Sequence, residues 1–135
     1  MRQITEIIVH CTATRPGQPA GRKEIDRWHR ARGFRCIGYH YVVTPDGNVE
    51  TGREEQETGA HCLGHNATSI GVVYSGGLDE SGHPADTRTP AQRAALTALL
   101  RVLRARYPQA RIRSHRDFAA KACPCFDATA EYASL

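Results

Sequence analysis

The sequence predicts one α/β domain in which helices flank a central mixed β-sheet. Three observations lead to this fold class: short Ile- and Val-rich segments alternate with helical patterns, two short segments are joined by a turn sequence, and one long segment carries an apolar stripe of helical spacing. A chain of 135 residues is long enough to bury about two-thirds of the surface that it exposes when unfolded. We therefore expect a single domain over residues 1–135 that folds without disulfides.

The first half of the chain contains three predicted strands and one helix. Residues 4–11 are rich in Ile and Val, which predicts a buried strand. Residues 22–32 carry apolar side chains at helical spacing and are followed by a glycine suited to a helix C-terminus, which predicts a short amphipathic helix. Residues 39–44 and 48–51 flank a Pro-Asp-Gly turn and predict a β-hairpin.

The second half contains a central strand, the most strongly patterned helix and a final strand. Residues 69–74 are almost continuously apolar, as in a strand buried on both faces. Thr89 begins a capping box with proline at the first helical position, and leucines then form a stripe that extends to about Tyr107. Residues 110–113 predict a short strand, and Asp127 is placed to cap a last helical turn.

Composition and charge narrow the function classes. The formal net charge of +4 implies attraction to polyanions such as nucleic acid, lipopolysaccharide or bacterial wall polymers, without choosing among them. The five cysteines are odd in number and widely spaced, which argues against a disulfide framework and favours a reducing compartment or a metal role. No apolar stretch is long enough for a signal peptide or a membrane span, so we expect neither an export signal nor a membrane partner.

His10, His115 and Cys123 are the candidate metal ligands. His10 ends the first predicted strand, at a position where open α/β sheets collect their ligands, and the other two lie near the far end of the chain. Two imidazoles and one thiolate suit Zn²⁺. Three protein ligands rather than four favour a hydrolytic zinc with one position kept for water. Cys11 faces the opposite side of the strand from His10 and cannot share the ion.

Each candidate ligand also has an ordinary structural interpretation. His10 can be a half-buried strand histidine bonded to backbone, His115 a solvated loop residue, and Cys123 a small buried apolar residue. A different metal interpretation adds Cys125 as a fourth ligand, which would close the coordination shell and make the zinc structural rather than catalytic. From the residues alone, both metal interpretations stay open.

Tyr39 and Lys121 are the candidate catalytic residues. Amide hydrolysis passes through an oxyanion, and one cation or hydroxyl aimed at that oxygen typically contributes on the order of 3 kcal/mol. Lys121 precedes Cys123 by two residues, so metal binding would hold its ammonium near the reaction centre. Tyr39 could orient water or assist proton transfer. The alternatives are a solvated lysine and a tyrosine packed in the core.

Six ordered motifs span nearly the whole chain. They are VHCTAT at 9–14, GYHY at 38–41, PDG at 45–47, GHNATSIG at 64–71, TPAQ at 89–92 and KACP at 121–124. In these motifs the sequence resembles the zinc-dependent N-acetylmuramoyl-L-alanine amidases, most closely the single-domain phage lysozymes of the T-seven type. That family has a central mixed sheet with helices around it, the amidase and peptidoglycan-recognition fold, in agreement with the predicted order of elements.

The resemblance implies a role for each matching residue. It implies zinc ligands at His10, His115 and Cys123, catalytic residues at Tyr39 and Lys121, and substrate-groove positions at His61 and Asn66. The last two lie in a polar loop, residues 59–66, that otherwise suits an ordinary turn. The implied reaction is hydrolysis of the amide between N-acetylmuramic acid and L-alanine in peptidoglycan, by a phage or prophage endolysin.

Departures from the family pattern bear on partners. Related phage lysozymes carry a tail before the first strand that is linked to inhibition of the phage RNA polymerase. This chain starts almost at that strand, which argues against the polymerase as a partner. Cys125 stands where a serine is expected, so the fourth-ligand question stays open. We expect a monomer that binds peptidoglycan, is made in the host cytoplasm without a signal peptide, and acts on the wall after release through a holin.

Three other functions fit parts of the sequence. A cytosolic amidase that recycles anhydro-muropeptides resembles this chain but has aspartate in the third ligand position. A non-catalytic peptidoglycan-binding protein would lack the cysteine ligand, so Cys123 favours an enzyme. A nucleic-acid-binding zinc protein is suggested by the positive charge, but the sequence has neither a compact Cys-Xaa-Xaa-Cys finger nor a concentrated basic helix, so no nucleic-acid partner is expected.

Overall fold

Five strands form one mixed sheet with helices packed against it. The computed structural model describes residues 2–135. The strands are β1 (Glu6–Cys11), β2 (Tyr41–Val43), β3 (Val49–Thr51), β4 (Ser69–Tyr74) and β5 (Arg111–Ser114), and the helices are α1 (Arg22–Ala31), α2 (Pro90–Arg106) and α3 (Ala128–Glu131). The spatial order of the strands is β3-β2-β4-β1-β5. The predicted fold class, a central mixed sheet flanked by helices, is confirmed.

The strand pairing is parallel except at one edge. β1 lies between β4 and β5 and is parallel to both, and β2 is parallel to β4. β2 and β3 form the predicted antiparallel hairpin. The turn of this hairpin requires Gly47, whose φ of 85° lies in the left-handed region, and the Gly47 amide donates to the carbonyl of Thr44 at 2.9 Å. Parallel pairing therefore aligns the carboxyl ends of β1, β4 and β5.

The start of α2 follows its predicted capping box. Thr89 Oγ1 accepts from the Gln92 amide at 3.0 Å, and Gln92 Oε1 accepts from the Thr89 amide at 2.9 Å. The buried Gln92 side chain also donates to the carbonyls of Val43 and Ser75, at 3.1 and 2.9 Å. One side chain thus caps the helix and binds it to the ends of β2 and β4.

β1 separates two apolar clusters on opposite faces of the sheet. On one face the side chains of Ile7, Val9 and Cys11 pack with β4 and with the buried leucines of α2. On the other face, Val73 of β4 packs with residues of α1 and β2. His10 is paired with Val73, and successive side chains of a strand point to opposite faces of the sheet. The His10 side chain therefore lies on the same face as Val73, the face covered by α1. No helix within residues 2–135 is long and apolar enough to cross a membrane.

A buried arginine joins the loop before α2 to the C-terminal segment. The Arg88 side chain is 0% exposed and bonds to Asp86 at 2.9 Å and to Glu131 at 2.7 Å. It also donates to the Tyr132 hydroxyl at 3.0 Å, and its guanidinium lies 3.4 Å above the ring centre of Phe126. Since Phe126 follows Cys123 by three residues, this ion-pair network helps to hold the cysteine-bearing segment against the domain.

The Arg88 network generates a prediction about stability. Replacing Arg88 with alanine should lower the free energy of unfolding by about 2–3 kcal/mol, because it removes charged hydrogen bonds from a desolvated position. The matched control is Arg93→Ala, whose half-exposed side chain makes one bond to Asp86 and should cost less than about 1 kcal/mol. Urea unfolding at neutral pH measures both values. Equal losses in the two variants would contradict the account.

Candidate metal centre and active-site groove

The strand register brings the two candidate histidine ligands together. His10 is the penultimate residue of β1, and its neighbour Val9 is paired with Ser114, the last residue of β5. His115 follows at once and begins a 3-10 helix. The two imidazole ring centres lie 4.4 Å apart. Adjacent parallel strands thus deliver both histidines to the same sheet edge.

Cys123 reaches the same position from the loop after β5. The carbonyl of Cys123 accepts from the amide of Arg116 at 2.8 Å, which ties this loop to the 3-10 helix that carries His115. Cys123 Sγ accepts from the amide of Cys11 at 3.2 Å. One donor atom each from His10, His115 and Cys123 lies within 4.8 Å of the other two, and among residues 2–135 no other such group of three His, Cys, Asp or Glu side chains occurs. The predicted ligands are therefore brought together.

The surroundings favour the protonation states that bind a metal. Burial, with His61 and His115 nearby, holds the pKa of His10 well below its usual value. Burial and the charge of Lys121 also lower the pKa of His115. Hydrogen bonding from the Cys11 thiol holds the pKa of Cys123 below that of a free cysteine, against the opposing effect of burial. Two neutral imidazoles and a thiol whose pKa is lowered are a donor set that suits zinc.

Cys125 is not in this group. Its Sγ lies 3.8 Å from Cys11 Sγ, and it packs on the face of the sheet that is covered by α2. Burial and the neighbouring Cys11 raise the pKa of the Cys125 thiol to about 12. Both cysteines of the loop contact Cys11, but only Cys123 Sγ lies within 4.8 Å of a ring nitrogen of His10 and of His115. This geometry favours three protein ligands over four.

Tyr39 and Lys121 both line a groove beside the three candidate ligands. The groove has a volume of about 660 Å³, and His115 also contributes to its wall. The Tyr39 ring centre is 5.0 Å from that of His10. Burial raises the pKa of the Tyr39 hydroxyl, so this group stays protonated at neutral pH. Lys121 is exposed and lines the same groove. The structure thus places both predicted catalytic residues at one site with the candidate ligands.

His61 and Asn66 also line the groove, and each has a side-chain atom that is bonded within the protein. Asn66 Oδ1 accepts from the amides of His61 and Cys62, at 2.8 and 2.9 Å, and so holds the loop together. His61 Nδ1 lies 2.8 Å from His10 Nε2. The part that either residue plays in substrate binding stays a prediction.

His29 is a site residue that the sequence analysis did not single out. It lies on the buried side of α1, where its Nδ1 accepts from the amide of Gly38 at 2.8 Å. Its ring centre is 5.4 Å from that of Tyr39. Burial, together with nearby Arg32 and Arg53, lowers the pKa of His29 to about 4. The helix thereby fixes the backbone just before Tyr39. The available signal was a histidine at helical spacing from the buried Ile25.

The fold and the cluster of ligands define a class of hydrolase, and comparison with known proteins identifies the family. The sequence profile described as N-acetylmuramoyl-L-alanine amidase (Amidase_2) matches residues 1–126. The chain belongs to the N-acetylmuramoyl-L-alanine amidase family. Its resemblance to that family is confirmed.

Individual relatives agree with this assignment. The chain is 46% identical over 127 residues to the endolysin of Escherichia phage T7, an alignment that covers 93% of this chain and 84% of that protein. Among solved structures, the N-acetylmuramoyl-L-alanine amidase LysC from Clostridium intestinale URNW matches with a TM-score of 0.83 at 30% identity, over 97% of this chain and 83% of that one. Drosophila PGRP-LB shares the fold, with a TM-score of 0.80 at 22% identity over 100% and 82% of the two chains.

The histidines around the site generate a prediction about pH. Burial is the first cause of a lowered pKa at His10, His29, His40, His61 and His115. The folded chain keeps these rings neutral, whereas the unfolded chain protonates them near pH 6.5. Stability that is present above pH 6.5 is therefore lost as the pH falls toward 4.

We expect the urea midpoint of the chelator-treated protein to be lower at pH 5 than at pH 7. His29 alone should contribute on the order of 1–2 kcal/mol to this loss. The matched variant is His29→Asn, which keeps an acceptor for the Gly38 amide but cannot titrate, and it should lose less stability over the same range. Equal midpoints at the two pH values in the unaltered protein would show that the histidines are not held neutral.

Proposed function

We propose that residues 1–135 form a single zinc-dependent amidase domain that hydrolyses the bond between N-acetylmuramic acid and L-alanine in bacterial peptidoglycan. One observation carries this proposal: His10, His115 and Cys123 converge beside a groove that also contains Tyr39 and Lys121. Membership of the amidase family supplies the reaction class, and the donor set supplies the argument for zinc.

The three ligands fit a catalytic zinc better than a structural one. His10, His115 and Cys123 would hold the ion, whereas Cys125 lies outside this group and its Sγ contacts Cys11 Sγ. When bound with three protein ligands, zinc supplies a Lewis acid and lowers the pKa of water toward ~7. His115 lines the groove, so one of the three ligands borders the space in which a substrate would bind.

Tyr39 and Lys121 would act on the scissile amide itself. The Tyr39 hydroxyl is protonated at neutral pH because burial raises its pKa, so it can donate a hydrogen bond to a developing oxyanion. The Lys121 ammonium is a second donor and a positive charge at the same groove. The bond from the Gly38 amide to His29 fixes the backbone next to Tyr39. This keeps the Tyr39 ring beside that of His10.

The charge of the groove suits an acidic glycopeptide. Arg32 and Lys121 line it, and none of the described residues that line it is an aspartate or glutamate. The carboxylates of a peptidoglycan stem peptide would therefore meet cations and no repelling charge. Sequence similarity to phage endolysins favours a role in lysis of a host cell over a role in recycling soluble muropeptides. The cysteine in the third ligand position also favours cleavage over binding alone.

The test is to identify the bond that is cut and the residues that cut it. Purified sacculi treated with the zinc-loaded protein should release peptides that begin with L-alanine, identified by mass spectrometry, and a chelator should stop their release. Lys121→Ala should keep its zinc but lose about 10²–10³-fold in turnover, because one oxyanion donor is removed. The matched control, Lys23→Ala, changes an exposed residue of α1 outside the groove and should leave turnover unchanged.

Other outcomes would overturn specific parts of this proposal. Cleavage of a glycosidic bond, or of a bond within the stem peptide, would refute the amidase assignment. Release that continues at full rate in the chelated protein would refute zinc dependence. Full turnover in Lys121→Ala would remove this lysine from the mechanism. Rapid turnover of soluble anhydro-muropeptides without attack on intact sacculi would favour the recycling enzyme instead.

A further inference from the structure

The ring of His61 lies between His10 and β4, and both of its nitrogens are engaged inside the protein. His61 Nδ1 is 2.8 Å from His10 Nε2, and His61 Nε2 is 3.2 Å from Ser69 Oγ. Ser69 is fully buried, and its hydroxyl donates its one proton to the carbonyl of His65 at 2.7 Å. Ser69 Oγ is therefore left to accept a hydrogen bond from His61.

These bonds determine which nitrogen of each ring carries a proton. Since Ser69 Oγ accepts, the proton of neutral His61 is on Nε2, and Nδ1 presents a lone pair. His10 Nε2–H must then donate to that lone pair. This leaves His10 Nδ1 unprotonated, and an unprotonated imidazole nitrogen is the form that binds a metal. We call the hydrogen bonds that run from His10 through His61 and Ser69 to the His65 carbonyl the hydrogen-bond series. The single proton of the Ser69 hydroxyl sets the direction of every bond in it.

The backbone is shaped to hold the His61 ring in this place. A Cβ atom added to Gly71 of β4 would lie 2.6 Å from His61 Cδ2, and one added to Gly59 would lie 2.7 Å from the same atom. The position of Gly71 is fixed in turn by His40, whose Nδ1 accepts from the Gly71 amide at 3.0 Å. Only glycine at these two positions leaves room for the imidazole.

We propose that His61 is a positioning residue that holds His10 in the Nε2–H tautomer and so makes His10 Nδ1 the metal-ligating atom. A second ligand shell of this kind orients the first and is needed for full metal affinity. The hydrogen bonds exist without a metal, but their consequence for binding rests on the proposed zinc site. This role differs from the substrate contact that the family resemblance implies for His61.

The tautomers can be read directly in the metal-free protein. Long-range proton–nitrogen NMR of the histidine rings should show His10 and His61 each protonated at Nε2 and not at Nδ1. In His61→Leu, His10 should no longer hold one tautomer. His61→Asn keeps an acceptor near the former Nδ1 and should restore the His10 signal. Protonation of His10 at Nδ1 in the unaltered protein, or an unchanged His10 spectrum in His61→Leu, would overturn the proposal.

Zinc affinity gives a second readout that does not depend on turnover. In competition with a chromogenic chelator, His61→Leu should bind zinc about 10–100-fold more weakly than the unaltered protein, as expected when the side chain that orients a metal ligand is lost. His61→Asn should recover most of this loss. The matched control is His65→Leu, since the His65 side chain bonds to Glu6 and lies outside the series. A weakening as large in His65→Leu as in His61→Leu would show a loop effect and refute the proposal.

Failure of this proposal and failure of the proposed function are distinguishable. If the unaltered protein shows the expected tautomers but binds no zinc, the hydrogen-bond series stands and the metal assignment is wrong. If it binds zinc while His10 carries the proton on Nδ1, the metal assignment stands and the role of His61 is wrong. Should His61→Leu fail to fold, Ser69→Ala removes the acceptor of His61 Nε2–H, together with the bond to the His65 carbonyl, and leaves the His61 ring in place. That variant should release His61 from its single tautomer, and an unchanged His61 spectrum there would contradict the series.

Discussion

The parallel pairing of β1 with β5 is the constraint on which the site depends. Because Val9 is paired with Ser114, the residues that follow these two, His10 and His115, lie at the same sheet edge. The pairing is stabilised by burial of β1 on both faces, so its register is strongly determined. A shift of one residue would move His10 to the face covered by α2 and separate it from the groove. The apolar core and the chemistry therefore depend on the same register.

Much of the fold could be predicted because its elements carry local patterns. The capping box at Thr89 and the turn at Gly47 occur where the sequence predicted them. The first residues of the strands were predicted less accurately than these two features. β2 starts at Tyr41 rather than at residue 39, because the backbone at Tyr39 and His40 bonds to the segment after β3 and to β4 outside the regular ladder. Such bonds join distant segments, and no local pattern predicts them.

The residues of the candidate site could be predicted from the sequence, but the contacts that hold them in place could not. The residues themselves suggested His10, His115 and Cys123, and the family resemblance added groove positions. The sequence could not exclude Cys125, because only the path of the loop shows that it contacts the Cys11 side chain. The bond between His10 and His61 spans 51 residues and has no signal in local spacing. The sequence therefore predicts the candidate ligands but not the side-chain contacts that orient them.

The most direct test of this account is zinc-edge X-ray absorption of the protein after it is loaded with one equivalent of zinc and dialysed. We predict one retained zinc per chain, with one sulfur neighbour at about 2.3 Å and the remaining neighbours nitrogen or oxygen at about 2.0–2.1 Å. A second sulfur neighbour would mean that Cys125 closes the coordination shell as in a structural site. That result, or failure to retain zinc at all, would contradict the account of an open catalytic centre.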